Sequence, residues 1–400
     1  MEKLKNIPKL RFPEFNGEWE NKKLGEVAEF KVTNSLSREN LNYESGDVKN
    51  IHYGDIHTKF QTLFDITKED VPFINEEIPI QRITEDYYCK EGDLVFADAS
   101  EDLNDVGKSI EIVKLDNQKL LSGLHTLLAR PKENHFSIGF NGYLFKSNTI
   151  RKQIQKEAQG SKVLSINVGR ISKVELSFPT LSEQKRIASF FTVIDKKIAE
   201  LKQKKNLLEQ YKKGVMQKLF SQELRFKHDN GKDFPKWEKK ILSDLVKIMY
   251  GKDQKQVADE NGIYPILGTG GIMGKTNQFL YDKPSVLIGR KGTIDKPVYM
   301  DTPFWTVDTL FYTEVFSNTF PKWLFYKFQT INWYLYNEAS GVPSLSGSTI
   351  YRIKIETPCY SEQTKIANFL SAIDEKINRT ENQIRQTQQY KKGLLQKMFV

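Results

Sequence analysis

The sequence predicts an α+β protein with a pseudo-twofold internal repeat, in which two mixed α/β globular regions are separated by two long helices able to pair antiparallel. Three observations carry that prediction. Residues 182–220 and 361–399 are near-copies at a constant offset of 179 with no gap, and 19 of the 42 positions in 179–220 and 358–399 are identical. Shorter segments recur upstream, Leu10-Arg11-Phe12 as Leu224-Arg225-Phe226 and Trp19-Glu20 as Trp237-Glu238, at offsets of 214 and 218. Between these landmarks, short apolar runs alternate with turn residues and show no sustained helical period. The chain is therefore two units of arm, globular region and helix, the first globular region being 39 residues the longer.

The helices rest on period as well as propensity. In the first copy Ile187, Ile194, Leu201, Leu208 and Val215 fall seven apart, and Phe191, Ile198 and Leu219 lie four after members of that series. Such spacing makes one apolar stripe, the pattern of a coiled-coil seam. The second copy keeps the stripe with Ile366, Leu370, Ile373, Ile377, Ile384, Leu394 and Met398, but sets Thr380 and Thr387 where the first has Leu201 and Leu208. Each copy follows a proline. Ser182 and Ser361 are the expected N-caps, with Glu183 and Glu362 in the first turn, where a negative charge suits the helix dipole. About 36 residues at ~1.5 Å each span roughly 54 Å, a length suited to a spacer or a partner surface. The expected segmentation is 1–178 for the first globular domain and 179–222 for its helix. Residues 223–357 then hold a linker and the second domain, and 358–400 the second helix; 221–236, rich in charge, glycine and proline, is the linker candidate.

Four hundred residues with 38% hydrophobic and 12% aromatic content suffice for two or three ordinary cores. Sixty Lys and Arg against 51 Asp and Glu leave a net charge of +9, which favours a polyanionic partner without naming one. Cys89 and Cys359 are too few for a disulfide framework or a zinc ribbon and suit a reducing cytoplasm. No apolar run reaches the length of a membrane span, so no membrane is expected as partner.

Inside the first globular region, 48–56 and 92–97 read as strands or strand-turn pieces, and 120–130 as another strand. A helix is expected over 141–158, stopping at Gly160, then a loop at 161–166 and a strand at 174–178. The second region repeats that ending with a helix over 321–338, a loop at 339–345 and a strand at 353–356.

Catalytic signatures are weak. Residues 268–276 (GTGGIMGKT) nearly spell a phosphate-binding loop, but Thr269 stands where the first glycine belongs and no helix pattern follows. A glycine-rich turn, or a loop approaching DNA phosphates through Thr269 and Gly270, fits better. Acidic residues with a Glu-x-Lys triplet, as in nuclease cores, can be drawn from Asp233, Glu238 and Lys240 or from Glu14, Glu20 and Lys22; a solvated strand start explains both. His52, Asp55 and His57 are the nearest approach to a metal-ligand cluster, and they read as loop residues. No catalytic residue and no metal site is expected. Basic residues, by contrast, fall beside Gly, Ser or Asn in loops: Lys108, Lys162, Arg170, Arg290 and Lys291.

The order Pro-x-x-Ser-Glu-Gln-x-x-Ile-Ala, Ile-Asp and, one helix later, Tyr-Lys-Lys-Gly occurs at 179–214 and again at 358–393. It resembles the specificity subunit of type I restriction-modification systems, and the resemblance covers the whole chain. It implies two target-recognition domains held apart by an antiparallel coiled-coil pair of the repeated helices, each domain reading one half of a bipartite DNA site. It implies no catalysis in this chain. Modification subunits that bind S-adenosylmethionine and methylate adenine, and restriction subunits that use ATP and Mg for translocation and cleavage, are the implied partners, in the cytoplasm and in defence against foreign DNA. Unlike fillings on like frames predict an asymmetric site. The residues expected to face DNA are Tyr53, Gly54, Asp55, His57, Lys108, Ser161, Lys162, Ser165, Asn167 and Arg170 in the first unit. In the second they are Thr269, Gly270, Arg290, Lys291, Ser340, Gly341 and Ser344. A stand-alone nuclease, or a coiled-coil scaffold without DNA binding, are the alternative readings.

Overall fold

The computed structural model describes residues 6–80 and 83–400. The chain divides into two compact units, the first running to Glu200 and including Gln383–Val400, the second spanning Leu201–Asn382. Each long helix, Leu181–Phe220 and Tyr360–Lys397, therefore gives one half to each unit.

The repeat seen in the sequence is a repeat of strand pairing. In the first unit Glu20–Lys23 pairs antiparallel with Glu175–Phe178, the strand that leads into the first long helix. In the second, Glu238–Ile241 pairs antiparallel with Lys354–Thr357, which leads into the second. The offsets of 218 and 179 are thus the two edges of one ribbon built twice. Next comes an antiparallel ladder, ordered Ala28–Lys31, Thr126–Pro131, Leu94–Ala97, Ser109–Lys114 in the first unit and Val246–Tyr250, Leu310–Val315, Ser285–Gly289, Val298–Met300 in the second. The fillings diverge beyond it. The first unit adds Leu63–Asp65 to that sheet and builds a four-stranded sheet from Lys119–Ser122, Val48–Ile51, Phe73–Ile74 and Leu41–Asn42. The second has a three-stranded sheet of Gly271–Thr276, Tyr264–Gly268 and Trp305–Thr306.

Several local expectations are corrected by caps, turns and changes of sheet. The stretch 48–56 is a strand only to Ile51, and Tyr53–Thr58 is a helix because the His52 ring Nδ1 accepts the Gly54 N–H at 3.1 Å as an N-cap. Residues 120–130 are two strands in different sheets, with the switch at 123–125 where His125 takes φ 55°. The expected helix over 141–158 breaks into Phe140–Leu144 and Asn148–Glu157, since Ser147 Oγ accepts the Ile150 N–H and starts a new helix. Likewise 321–338 is helical only over Pro321–Gln329, followed by a 3₁₀ turn at Trp333–Tyr336 that the Trp333 indole pins by donating to the Phe328 carbonyl at 2.9 Å. The linker candidate 221–236 carries local order, since Lys227 bridges to Asp233 and Phe234 is buried.

The long helices carry the repeat into the packing. In the second unit Lys205 meets Glu381 and Lys212 meets Asp374, so rising numbers on one helix meet falling numbers on the other and the pair is antiparallel. Ile366, Leu370, Ile373 and Ile377 join Val215, Met216, Leu219 and Trp237 in that unit's core. In the first unit Ile187, Phe191, Ile194 and Ile198 pack with Leu394, Met398 and Phe399. Leu201 is buried, while Leu208 and Ile384 are half-buried. Thr380 is buried in the seam without an orphaned hydroxyl, because its Oγ1 donates to the Lys376 carbonyl at 2.8 Å, one helical turn back.

The repeated motifs are these contacts. Both helices begin one residue before the serine, at Leu181 and Tyr360, so Ser182 and Ser361 sit in the first turn rather than at the cap. The glutamine of each Ser-Glu-Gln folds back instead: Gln184 Nε2 donates to the Pro179 carbonyl and Gln363 Nε2 to the Pro358 carbonyl, both at 2.9 Å. The glutamate is an anchor more than a dipole partner. Glu183 accepts Arg11 Nε and Nη2, both at 2.7 Å, and Glu362 accepts Arg225 Nε at 3.1 Å, Arg225 Nη2 at 2.7 Å and Trp237 Nε1 at 3.0 Å. This explains the recurrent Leu-Arg-Phe arm. The Ile-Asp and Tyr-Lys-Lys-Gly motifs likewise meet. Tyr143 Oη and Lys391 Nζ converge on Asp195 in the first unit, and Tyr326 Oη and Lys212 Nζ converge on Asp374 in the second.

Candidate nucleic-acid interface

In the first unit the expected site residues fall on three segments far apart in sequence, the helix Tyr53–Thr58, Lys108 at the end of the loop that begins at 98, and 161–170. The helix Tyr53–Thr58 presents Tyr53, whose ring lies 4.7 Å from His52, 6.2 Å from His57 and 5.3 Å from His125. His57 is held against the next loop, its Nε2 lying 3.0 Å from the Ala99 carbonyl. That loop in turn binds the third, because Ala99–Ser100 pairs antiparallel with Leu164–Ser165 and the Ile166 N–H donates to the Asp98 carbonyl. His125 Nδ1 lies 3.2 Å from Asp98 Oδ1. Burial lowers the His52 pKa, and the neighbouring Arg38 guanidinium lowers it further. Below ordinary histidine values, the His52 ring stays neutral and keeps its acceptor role at the cap.

Some expected residues serve the scaffold. Asp55 is 1% exposed and receives both Nη atoms of Arg38 at 2.8 and 2.9 Å, with Lys59 at 3.6 Å, so it holds the helix rather than a base. Lys108 Nζ donates to the His57 carbonyl at 2.7 Å and ties two loops together. Arg170 is turned to Glu157, donating to its carbonyl at 3.2 Å. Asn167 caps the turn Val168–Ile171. Ser161, Lys162 and Ser165 are exposed, and Gly54 is half-exposed on the helix beside Tyr53. The turn before them needs glycine, since Gly160 has φ 128° and a Cβ there would lie 2.0 Å from the Val163 carbonyl oxygen. Arg38, Asp98 and His125 escaped sequence reading, because nothing local marks a residue whose partner lies in another loop.

The second unit brings its expected residues together more tightly. Lys291 bridges to Ser344, the Gly292 N–H donates to the Pro343 carbonyl at 2.8 Å, and the Leu345 N–H donates to the Arg290 carbonyl at 2.9 Å. Thr269 joins them: its Oγ1 would lie 3.5 Å from a Cβ on Gly292, which has φ 86°. Arg290 lies over the Tyr250 ring at 5.6 Å and donates to the Asp308 carbonyl, leaving Lys291 as the exposed cation. Ser340, Gly341 and Gly270 are exposed at the rim and Ser344 is half-buried. The segment 268–276 is the turn and second strand of a hairpin. Tyr250 is the residue sequence reading missed, an exposed ring at the end of a strand.

Other candidate chemistry lies elsewhere. Lys22 pairs with Glu20 at 2.9 Å and Lys240 with Glu238 at 3.1 Å along the ribbon strands, while Glu14 faces Arg186 and Asp233 faces Lys227. Among the described residues no group of three His, Cys, Asp or Glu side chains is arranged to hold a metal ion, and no helix is long and apolar enough to cross a membrane.

Comparison with known proteins gives a concordant result. The family model described as type I restriction modification DNA specificity domain matches twice, over residues 16–210 and 235–387. The putative type I restriction enzyme MjaX specificity subunit of Methanocaldococcus jannaschii is 27% identical over 58% of this chain and 52% of its own length. The MjaVIII specificity subunit of the same organism is 29% identical over 45% of this chain and 46% of its own. The chain thus spans about half the length of the curated relatives it matches. A crystal structure of a type I restriction-modification S subunit from M. genitalium superposes with a TM-score of 0.63 over 98% of this chain and 99% of that one, at 16% identity, and so shares its fold. With both of its repeats matched, the chain belongs to the type I restriction modification DNA specificity domain family.

Proposed function

We propose that this chain is the DNA sequence-specificity subunit of a type I restriction-modification complex. Each unit binds one half of an asymmetric bipartite site, and partner subunits carry out adenine methylation or restriction. One observation carries the reading: two units share a ribbon, a ladder and a helix pair, yet the loops at their ladder ends are unlike. An aromatic and histidine cluster around Tyr53 stands in one, and Arg290 over Tyr250 with the exposed Lys291 beside it in the other. A frame repeated without its reading surface suits two different half-sites, because different side chains present different donors and acceptors to base edges. The excess of positive charge supplies the phosphate attraction that any such reader needs.

The chain itself is non-catalytic in this reading. S-adenosylmethionine, ATP and Mg belong to the modification and restriction subunits, which dock on the helices, and the complex works in the cytoplasm. Exchanging residues 238–339 for those of another family member tests the assignment. The methylated sequence is expected to change in one half and keep the other half and the gap. Simultaneous change of both halves refutes modular reading, and cleavage of DNA by the isolated chain with a divalent metal, abolished by Glu20 or Glu238 substitution, restores the nuclease alternative.

A further inference from the structure

The hairpin of Tyr264–Gly268 and Gly271–Thr276 is bulged beside its turn. Its register shifts next to the turn: Ile266 pairs with Gly274 and Leu267 with Ile272, so Met273 is an extra residue with no partner. A bulge of this kind bends the strand and re-aims the extra side chain, and Met273 lies across the turn with its side chain over Gly268. Ile272 is 74% exposed and Met273 60%, while Ile266 and Leu267 across the hairpin are both buried. Two large apolar side chains left this exposed at the tip of a short hairpin cost solubility.

The tip is anchored beside the cationic pair. Its turn residue Thr269 packs at Gly292, the residue after Arg290 and Lys291. Val342, 66% exposed, stands two residues from Ser344, to which Lys291 bridges. Apolar points flanked by cations suit a nucleic-acid duplex better than a protein groove. Ile and Met are side chains that enter base steps from outside, while lysine and arginine hold the adjoining phosphates.

We propose that Ile272 and Met273 form a wedge that enters a base step in the half-site read by the second unit and bends the DNA there. The inference rests on the proposed function and deepens it. Specificity in this half then depends partly on how easily the step opens, which favours pyrimidine–purine steps such as TA or CA. Such selection acts without any hydrogen bond to a base.

The test uses the full chain with its methyltransferase partner and a duplex carrying the methylated site, labelled at both ends for energy transfer and with 2-aminopurine at successive steps. Wild type is expected to shorten the end-to-end distance and to brighten 2-aminopurine at one step. The I272S/M273S variant is expected to lose at least half of both signals, with an unchanged melting temperature and an unchanged slope of affinity against salt. The R290A/K291A variant is expected to do the reverse, lowering the slope by about 2 while leaving the bound DNA bent. Straight DNA in a tight wild-type complex, or full bending by I272S/M273S, overturns the wedge alone. Loss of methyltransferase association in I272S/M273S also overturns it, by assigning the patch to a protein. Absence of sequence-dependent binding by wild type overturns the wedge together with the functional reading beneath it.

Discussion

The arm-to-helix anchor of the second unit gives the sharpest energetic prediction. Glu362 is fully buried and receives three N–H donors, two from Arg225 and one from Trp237, while the Arg225 side chain is 26% exposed. Glu362→Gln keeps the shape but offers one acceptor oxygen, and its amide faces the guanidinium with like polarity. Removing one partner of a buried ion pair costs about 3–5 kcal/mol. The partial exposure of Arg225, and its further bond to the Pro235 carbonyl at 2.7 Å, put the cost near the lower end, about 3 kcal/mol. For a unit of this size that corresponds to a fall of about 6–12 °C in melting temperature. Tryptophan fluorescence is the natural readout, since Trp237, Trp305, Trp323 and Trp333 all lie in the second unit and Trp19 alone in the first. A double-mutant cycle of Glu362→Gln with Arg225→Met isolates the pair, with an expected coupling of about 2 kcal/mol. The exposed pair Arg379 and Glu375 serves as the control, worth under about 0.5 kcal/mol. A coupling at Glu362 no larger than that of the control refutes the anchor.

Other consequences are equally checkable. The buried Glu111 accepts the Gly139 and Gly142 N–H groups at 2.7 and 2.6 Å, and burial pushes its pKa up to about 7. A folded-state value above the unfolded one means that stability is fully present at low pH and is lost as pH rises from about 4.5 through 7. Protection of the amides in 109–144, corrected for intrinsic exchange, is expected to fall across that window by an equivalent of about 3 kcal/mol, and the fall should vanish in Glu111→Gln; constant wild-type protection contradicts it. Asp195→Asn and Asp374→Asn each weaken one Tyr–Asp–Lys cluster whose aspartate and lysine remain partly exposed, so each should cost about 1–2 kcal/mol in its own unit only. Equal loss in both units from either variant, followed by amide exchange, argues against the assignment. Gly160→Ala meets both a positive φ and the Val163 carbonyl, so it is expected to cost more than about 2 kcal/mol and to alter the first half-site alone. A melting curve and methylation pattern like those of wild type sink that prediction.

How much of this was legible in the sequence follows from the range of the forces. The long helices were legible because their seam repeats every turn or two, and the repeat of arm and ribbon because identical residues recur at fixed offsets. Their purpose was not legible. Glu183 looks like a first-turn acid, and only the fold brings Arg11 to it across 172 positions. Short elements failed where a side-chain cap or a change of sheet interrupted the local pattern, as when His52 capped a helix in a stretch that reads as strand, or the chain changed sheets at 123–125. Among candidate DNA contacts, polarity beside glycine or serine marked the loops correctly as surface segments but could not separate Lys291, which is exposed, from Asp55 and Lys108, whose charges are consumed in holding loops together. The hairpin bulge that exposes Ile272 and Met273 left no sequence signal beyond glycines on either side.

Mapping N6-methyladenine across a genome that carries this subunit with its methyltransferase tests the central claim most directly. Methylation is expected in a two-part motif of dissimilar halves separated by a gap of fixed length. A single contiguous motif, a palindrome, or no methylation dependent on this chain contradicts it.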